Sequence, residues 1–492
     1  PWWRAKSGLP SSRGRVNEKE KEGANMRKAL DVKVNVKPVF CQIIHSGPYE
    51  GPCRVGRPED LDPEAERKRG REAFQRFVED LKRNLPEEAN LMEPVLFEWR
   101  DDFVIPESEL RKLEPEIFEA DFVLHSGTGL GQYPAVAIAE RYRVPIVMVG
   151  WVSTVDVTAY LRARGLEGYA VMDVDDLRRF VRLFRARKAL GNMRILIAVE
   201  GNSLLPVGTV SSIFDLDGLR ERYGVGWRLV PVREVFEEID SLPEDAQSEA
   251  ERLTDELMGE AEECRMSRED LLQSVKFYVA VRRLLDKYDC NAFAIPCFEV
   301  CAKRMAEKRR VTFCLAHTLL KDEGIPSACE GDLSVLMGIA LLMFVSGKSV
   351  HMGNSYLIDK EGNVIAVHHD VPGLKMKGLG GPRLPFKIVN FTVGGWGATL
   401  RYDFSLDKGQ PVTMARFDPT GRRALVVRGE VVGSGGVTDI GCSLAAHVRV
   451  RDARDLLRKE QDFGHHLAMV YGDYVEDIKD LAELVGFEVV EA

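Results

Sequence analysis

The sequence has no long apolar run, and no stretch approaches the roughly twenty residues that a membrane-spanning helix needs. It also shows no segment with a basic head and an apolar core of the kind that directs secretion. Positive charge is not in excess: 68 Lys and Arg face 77 Asp and Glu, for a net charge of −9. This balance argues against general binding to nucleic acid or to anionic membranes. We therefore expect a cytoplasmic protein that binds neither.

Cysteine is scarce, with nine residues in 492 scattered through apolar surroundings. An odd and scattered set indicates reduced thiols rather than a disulfide framework. Cys297 and Cys301 are close enough in sequence to suggest zinc, but no second Cys/His pair follows at finger spacing. The favoured interpretation is that both are small core residues near the end of a strand.

What the chain does contain is an ordinary globular composition, 45% hydrophobic and 29% charged, at a length that exceeds one hydrophobic core. Residues 1–30 are rich in charge, and we expect a disordered N-terminal extension there. Alternating strand and helix patterns over 31–190 and 191–345 predict two Rossmann-like, doubly wound α/β domains. Short β-rich runs over 346–492 predict a mostly antiparallel β domain, in which only the last element, 474–485, is helical.

The stretch from 325 to 354 carries the most chemistry. Glu330 and Asp332 precede an apolar segment, 333–345, that predicts a buried helix. Carboxylates at the N-terminal end of a helix lie where amide donors and the helix dipole favour anions. Asp332 is explained equally well as an ordinary capping residue. Glu330, between Cys329 and Gly331, is predicted to be functional.

This arrangement resembles a known family. Glu330-x-Asp332, the buried helix, and a ligand-type residue after the next strand are similar to the metal-site core of L-fucose isomerases within the fucose/arabinose isomerase superfamily. The segment 464–472, with His465-His466 and a Tyr-Gly ending, resembles the late histidine segment of the same enzymes. The resemblance implies this order of three domains, a divalent metal such as Mn²⁺, and a small-molecule sugar substrate.

By the resemblance, the metal ligands are Glu330, Asn354 and His466, and the family's second acid/base carboxylate, in addition to Glu330, falls on Asn354. Either Asp332 or a residue outside the motif would then take that role, or the reaction differs from fucose isomerisation. The family has aspartate where this chain has Asn354. An asparagine can ligate a hard metal through its carbonyl oxygen, but it cannot act as a carboxylate base. Two interpretations follow: a retained metal site, or an apolar-lined sugar pocket without metal.

Further residues follow from the same resemblance. His368, in the segment His-His-Asp-Val-Pro, corresponds to a pocket residue, although a solvated loop histidine explains it as well. His351 is interpreted as a packing residue or a neighbour of the ligands. His45 and Arg54 are predicted to border the pocket of a neighbouring subunit, in a homo-oligomer that is a trimer or a hexamer.

The resulting hypothesis is a metal-dependent aldose–ketose isomerase, an intramolecular oxidoreductase of carbohydrate metabolism, that is L-fucose isomerase-like and works through an enediol. One alternative is a sugar-binding protein that retains the isomerase fold and has altered or lost catalysis, which Asn354 favours. Another is a different metal-assisted reaction on a sugar, such as carbon–carbon cleavage or dehydration. Glu330 and His466 favour the isomerase.

Overall fold

The computed structural model describes residues 27–47, 62–100, 102–128, 132–151, 153–199 and 209–492. Most of the predicted N-terminal extension, residues 1–26, lies outside these ranges, and so does Arg54. Within these ranges, no helix is long and apolar enough to cross a membrane.

The first part of the chain forms a six-stranded parallel sheet with helices. Its strands are β1 (Val34–Ile44), β2 (Ala89–Leu91), β3 (Val95–Arg100), β4 (Phe122–Thr128), β5 (Ile146–Val149) and β6 (Gly168–Val171). Its helices are α1 (Pro63–Asn84), α2 (Glu107–Arg111), α3 (Gln132–Tyr142), α4 (Ser153–Ala163) and α5 (Val174–Gly191). The strand order is β2-β1-β4-β5-β6, and β3 also pairs with β1. Every pairing is parallel, as helical crossovers between strands predict.

The next part contributes a second, smaller parallel sheet. Its strands are β7 (Arg194–Val199), β8 (Gly226–Pro231), β9 (Glu263–Cys264), β10 (Ala292–Ala294) and β11 (Ser327–Ala328). Its helices are α6 (Leu216–Tyr223), α7 (Val232–Asp240), α8 (Glu244–Glu260), α9 (Arg268–Lys287), α10 (Cys297–Ala302), α11 (Met305–Arg309), α12 (Cys314–Asp322) and α13 (Leu333–Ser346). Four of these strands pair in the order β11-β10-β7-β8, all parallel, whereas β9 joins a different sheet.

The last part is built mainly from antiparallel strands. They are β12 (His351–Asp359), β13 (Val364–His368), β14 (Lys387–Asn390), β15 (Ala398–Arg401), β16 (Pro411–Phe417), β17 (Arg423–Gly435), β18 (Ala445–Val450), β19 (His466–Tyr471) and β20 (Glu488–Glu491), with helices α14 (Ala453–Phe463) and α15 (Val475–Val485). The main sheet has the order β16-β19-β12-β13-β18-β17-β20. Because β16 also pairs with β17, six antiparallel strands close into a barrel, and β20 is added in parallel to β17.

The expectation that only the last element of this part is helical is wrong, because α14 is a second helix. The Asp452 side chain caps it by accepting hydrogen bonds from the backbone of Arg454 and Asp455. Leu456 and Phe463 are buried on its inner face. Charged residues occupy most of its other positions, and this hides the short apolar stripe in the sequence.

Helix α13 connects the parallel and antiparallel parts. It is buried from Leu333 to Val345, because it packs against β16 and β19 on one side and α5 on another. Asp332 caps its beginning, and it ends at Gly347, whose φ of 66° lies in the left-handed region that glycine adopts freely. A small sheet of order β15-β14-β9 makes a further link between the second and last parts of the chain.

Candidate metal centre

Glu330 lies in the turn between β11 and α13, in an uncommon backbone conformation. Its φ of 57° and ψ of 16° place a non-glycine residue in the left-handed region, which costs on the order of 1 kcal/mol. The following residue, Gly331, donates its N–H to the Ile295 carbonyl at 2.9 Å and so ties the turn to the end of β10. The surrounding structure therefore holds the buried Glu330 side chain in a defined position.

The Glu330 carboxylate contacts three polar side chains. Its Oε1 lies 3.1 Å from His369 Nε2, and its Oε2 accepts a hydrogen bond from the Thr209 hydroxyl at 3.0 Å. The same Oε2 lies 3.7 Å from His466 Nε2. Burial raises the pKa of Glu330, but His369, His466 and the Thr209 hydrogen bond outweigh burial and lower the pKa below its usual value. Glu330 is therefore ionised at neutral pH.

His466, at the start of β19, is oriented by Asp332. Its Nδ1 lies 2.8 Å from Asp332 Oδ2, so this nitrogen carries the proton that the carboxylate accepts. In the neutral ring, the lone pair is then on Nε2, which is buried and has no hydrogen-bond partner. The Nε2 lone pair faces a carboxylate oxygen of Glu330 at 3.7 Å. A cation bound between these two atoms would be coordinated by both.

Asp332 itself uses both oxygens. Its Oδ1 accepts from the N–H of Ser334 at 3.0 Å and of Val335 at 3.3 Å, which caps α13. Its Oδ2 accepts from Arg416 Nη1 at 2.5 Å and from His466. Burial raises the pKa of Asp332, but Arg416 and His466 outweigh burial and hold the pKa well below its usual range. With these contacts, Asp332 orients the His466 ring and caps α13.

Three residues form a possible metal-binding group. Glu330, His369 and His466 are all buried, and each offers one ligand atom within 4.8 Å of the other two. One carboxylate oxygen and two imidazole nitrogens suit several divalent transition metals, Mn²⁺ among them. The unpartnered His466 Nε2 also fits this role. The site can therefore hold a metal ion, and its donor atoms leave the identity of the ion open.

The predicted ligand Asn354 lies beside this group. It is the direct cross-strand partner of His466 on β19 and of His368 on β13. Directly opposed residues of antiparallel strands project their side chains to the same face of a sheet. The Asn354 Oδ1 is buried and has no hydrogen-bond partner. Its role as a ligand stays a prediction.

His369 is the member of the group that the sequence analysis missed. The doublet in 368–372 was the available signal, but the resemblance favoured His368. Strand β13 ends at His368, and the next residue turns to contact Glu330. His368 is half-buried and packs edge-on against Tyr356, with ring centres 5.5 Å apart. Burial lowers the pKa of His368.

The other predicted residues lie elsewhere or have other partners. His45 contacts Glu66, with 2.8 Å between Nδ1 and Oε1, in the first part of the chain. His351 is buried against Phe404 and its ring contacts the Val367 carbonyl, which agrees with a packing role.

Cys297 and Cys301 do not form a zinc site with any other ligands in the part of the chain that the structure describes. Within the described ranges, the Glu330 group is the one cluster of three or more acidic, histidine or cysteine ligands that meets the distance criterion for a metal ion. The interpretation of both thiols as core residues is wrong for Cys301, which is exposed, while Cys297 is half-buried. Helix α10 lies at the surface, and this explains the difference.

Comparison with known proteins shows which class of enzyme this chain is similar to. The chain is 25% identical over 326 residues to a sulfoquinovose isomerase of Alkalicoccus urumqiensis, which covers 63% of this chain and 68% of the relative. It is 24% identical over 330 residues to the sulfoquinovose isomerases of Priestia aryabhattai and Priestia megaterium, covering 63% of this chain and 67% of each. No family model matches the chain.

These similarities support a sugar isomerase, as the sequence predicted. They do not single out L-fucose isomerase, because the relatives are named sulfoquinovose isomerases.

Proposed function

We propose that this chain is a metal-dependent aldose–ketose isomerase whose divalent ion, Mn²⁺ in our assignment, is held by Glu330, His369 and His466. Asn354 is proposed as an additional ligand through its Oδ1. The observation that carries the proposal is the buried, unpartnered Nε2 of His466, which faces the ionised Glu330 carboxylate. Asp332 supports this arrangement, because its contact with Nδ1 of His466 fixes the tautomer of that ring.

The reaction requires a proton to move between two adjacent carbons of the sugar. A divalent ion, when bound, supplies the positive charge that stabilises the enediol-like transition state. Glu330 is the group we assign to accept and return the proton, because its lowered pKa keeps it ionised at neutral pH. Thr209 donates to its Oε2 and holds the carboxylate in place.

The same face of the barrel offers groups for sugar hydroxyls. Asn354 Oδ1 and His368 Nδ1 are both buried without a hydrogen-bond partner, and a polar ligand would satisfy them. We propose that His368 contacts the substrate and that Asn354 contacts the ion. We also propose that His45 and Arg54 border the pocket of another copy in a trimeric or hexameric assembly.

For the substrate, we propose sulfoquinovose before L-fucose, since the relatives are named sulfoquinovose isomerases. Two buried cations beside the site, Arg401 and Arg416, already pair with buried carboxylates. A sulfonate would need another cation, and Arg54 from a neighbouring copy is our candidate because guanidinium groups bind such oxygens in bidentate fashion. Glucose is the natural control sugar, because it carries a hydroxyl in place of the sulfonate.

The test is an isomerisation assay on metal-stripped protein to which Mn²⁺ is returned. Sulfoquinovose, L-fucose and glucose are incubated separately, and ketose formation is followed by NMR. We expect ketose from sulfoquinovose only after Mn²⁺ is added. His466→Gln should lower kcat at least 100-fold, whereas the matched change of its exposed neighbour, His465→Gln, should stay within a few-fold of wild type. Turnover without metal, or equal losses in both variants, would reject the assignment.

A further inference from the structure

Two thiols meet directly beside the candidate metal centre. The Sγ atoms of Cys297, the first residue of α10, and Cys329, the residue before Glu330, lie 3.5 Å apart. Both are free thiols. They come from segments 32 residues apart in sequence, so the contact is made by the fold.

The backbone around this pair is fixed by the parallel sheet. Ala294 of β10 pairs with Ala328 of β11, and the Ile295 carbonyl accepts the Gly331 N–H at 2.9 Å. These contacts lie on both sides of Cys329 along the chain and shortly before Cys297. The strand pairing therefore places the segment that carries Cys329 beside the segment that leads into Cys297.

We propose that Cys297 and Cys329 form a reversible disulfide that controls the position of Glu330. The regulatory consequence rests on the proposed function, whereas the formation of the bond does not. A disulfide requires a sulfur–sulfur distance of about 2.05 Å, so the two sulfurs must approach by about 1.5 Å. Cys329 is bonded to Glu330, so any displacement of the Cys329 backbone on bond formation is passed on to Glu330.

The pair is open to a small oxidant from one side. Cys297 is half-buried, its neighbour Phe298 is 50% exposed, and Cys301 one turn further along α10 is exposed. Cys329 is buried. Cys297 is therefore the thiol that an oxidant meets first, and Cys329 is the partner that resolves the product.

With hydrogen peroxide as the oxidant, the step balances. The Cys297 sulfur attacks the peroxide, an S–O bond forms, the O–O bond breaks, and one water leaves, which gives a sulfenic acid. The Cys329 thiol then attacks that sulfur, the S–S bond forms, the S–O bond breaks, and a second water leaves. Two thiols lose two electrons in total, and one peroxide is reduced to two waters.

The consequence follows from the geometry of Glu330. Its backbone lies in the left-handed region, and its carboxylate must stay within reach of His369 and His466 to complete the metal group. A shift of the preceding residue moves this carboxylate away from the two imidazoles. We expect oxidation to weaken Mn²⁺ binding at least tenfold and dithiothreitol to restore it.

The experiment compares wild type, Cys297→Ser and Cys301→Ser, which alter thiols four positions apart on the same helix. Each protein is treated with a small excess of hydrogen peroxide, digested without reduction, and examined by mass spectrometry for a peptide that links 297 to 329. Mn²⁺ binding is measured by calorimetry before oxidation, after oxidation and after reduction. We expect the linked peptide and the tenfold loss of affinity in wild type and Cys301→Ser, and neither in Cys297→Ser.

The outcomes separate the two proposals. No linked peptide in wild type would overturn the disulfide even if the enzyme isomerises sugars. A linked peptide with unchanged Mn²⁺ affinity would overturn the control of Glu330. A reduced wild type that binds no Mn²⁺ would overturn the proposed function and the regulatory consequence together, while the mass spectrum would still decide whether the thiols pair.

Discussion

Two buried aspartate–arginine pairs lie close to the candidate centre, and they have different tasks. Asp332 pairs with Arg416 at 2.5 Å, and Asp370 pairs with Arg401 at 2.6 Å. All four side chains are inaccessible to solvent. Each aspartate also lies within two positions of a proposed ligand, Glu330 or His369.

The two pairs differ in the other groups that each aspartate carboxylate contacts besides its arginine. Asp332 Oδ2 accepts from the Nδ1–H of His466 and so reaches a proposed ligand. Asp370 Oδ1 instead accepts from the backbone of Ser443 and Leu444, and Arg401 donates to carbonyls within residues 436–441. The first pair supports the metal centre and the second anchors a loop, although their burial and charge are the same.

The largest effect on stability is expected when each aspartate is neutralised, and this change tests whether the two pairs have different roles. Asp332→Asn leaves Arg416 buried without a negative partner, and we expect a loss of about 3–5 kcal/mol in the free energy of unfolding. Asp370→Asn should cost a similar amount through Arg401. Only Asp332→Asn should also abolish the rise in melting temperature that Mn²⁺ gives, because only that change frees the His466 ring.

Denaturant titrations and thermal scans with and without Mn²⁺ check both parts. If either variant fails to fold, Asp332→Glu and Asp370→Glu keep a negative partner for each arginine but displace the carboxylate from its other contacts, and they allow the same comparison. A Mn²⁺ response that survives in Asp332→Asn, or disappears equally in both variants, would remove the distinction between the two pairs.

A third buried carboxyl, Glu460 on α14, shows what happens without a contacting arginine. Burial raises the pKa of Glu460 to about 7, and Ser355 and the more distant Arg416 only partly oppose this. Between the unfolded value of 4.5 and about 7, the folded state binds more protons, so its stability falls as pH rises. The loss is complete above pH 7 and amounts to at most about 3 kcal/mol.

Glu460→Gln should remove this dependence. We expect the variant to be more stable than wild type at pH 8 and nearly equal to it at pH 4.5, as measured by urea unfolding. Parallel pH profiles for the two proteins would show that Glu460 is already ionised in the folded state, contrary to the raised pKa.

The smallest expected effect concerns how α13 and β16 bring Asp332 to Arg416. A Cβ at Gly338 of α13 would lie 2.6 Å from the Ala415 carbonyl oxygen and 3.3 Å from the Arg416 Cα. Gly338→Ala should therefore push β16 away and cost about 1–3 kcal/mol. Gly259→Ala on α8 is the control, since nothing lies within 4 Å of its added Cβ, and it should be neutral or slightly stabilising.

Equal melting temperatures for the two alanine variants would mean that the helix and the strand can separate without strain. A reduced response to Mn²⁺ in Gly338→Ala alone would sharpen the link between this packing and the metal centre.

The sequence predicted those parts of the site that depend on local pattern. The apolar segment before Gly347 predicted α13, and the carboxylates at its head predicted both the cap and Glu330. His369 could not be found in this way, because its contact with Glu330, 39 residues earlier, depends on where strand β13 ends. The partners of the two aspartates, Arg416 and Arg401, were also missed, because nothing near them in sequence marks a buried arginine.

The fold shows the same division between local and distant information. Alternating elements predicted the parallel sheets, and β-rich runs predicted an antiparallel final part. The closure of its barrel through β16 and β17 depends on pairing between strands, which no local pattern specifies. Helix α14 was missed because its apolar stripe is short.

The central claim is that Glu330, His369 and His466 hold one divalent ion. Calorimetric titration of metal-free protein with Mn²⁺ tests it most directly, with Glu330→Gln and His369→Gln beside the control His368→Gln. We expect one Mn²⁺ per chain in wild type and in His368→Gln, and at least a 100-fold weaker affinity in the other two. Wild-type affinity in both Glu330→Gln and His369→Gln would contradict the claim.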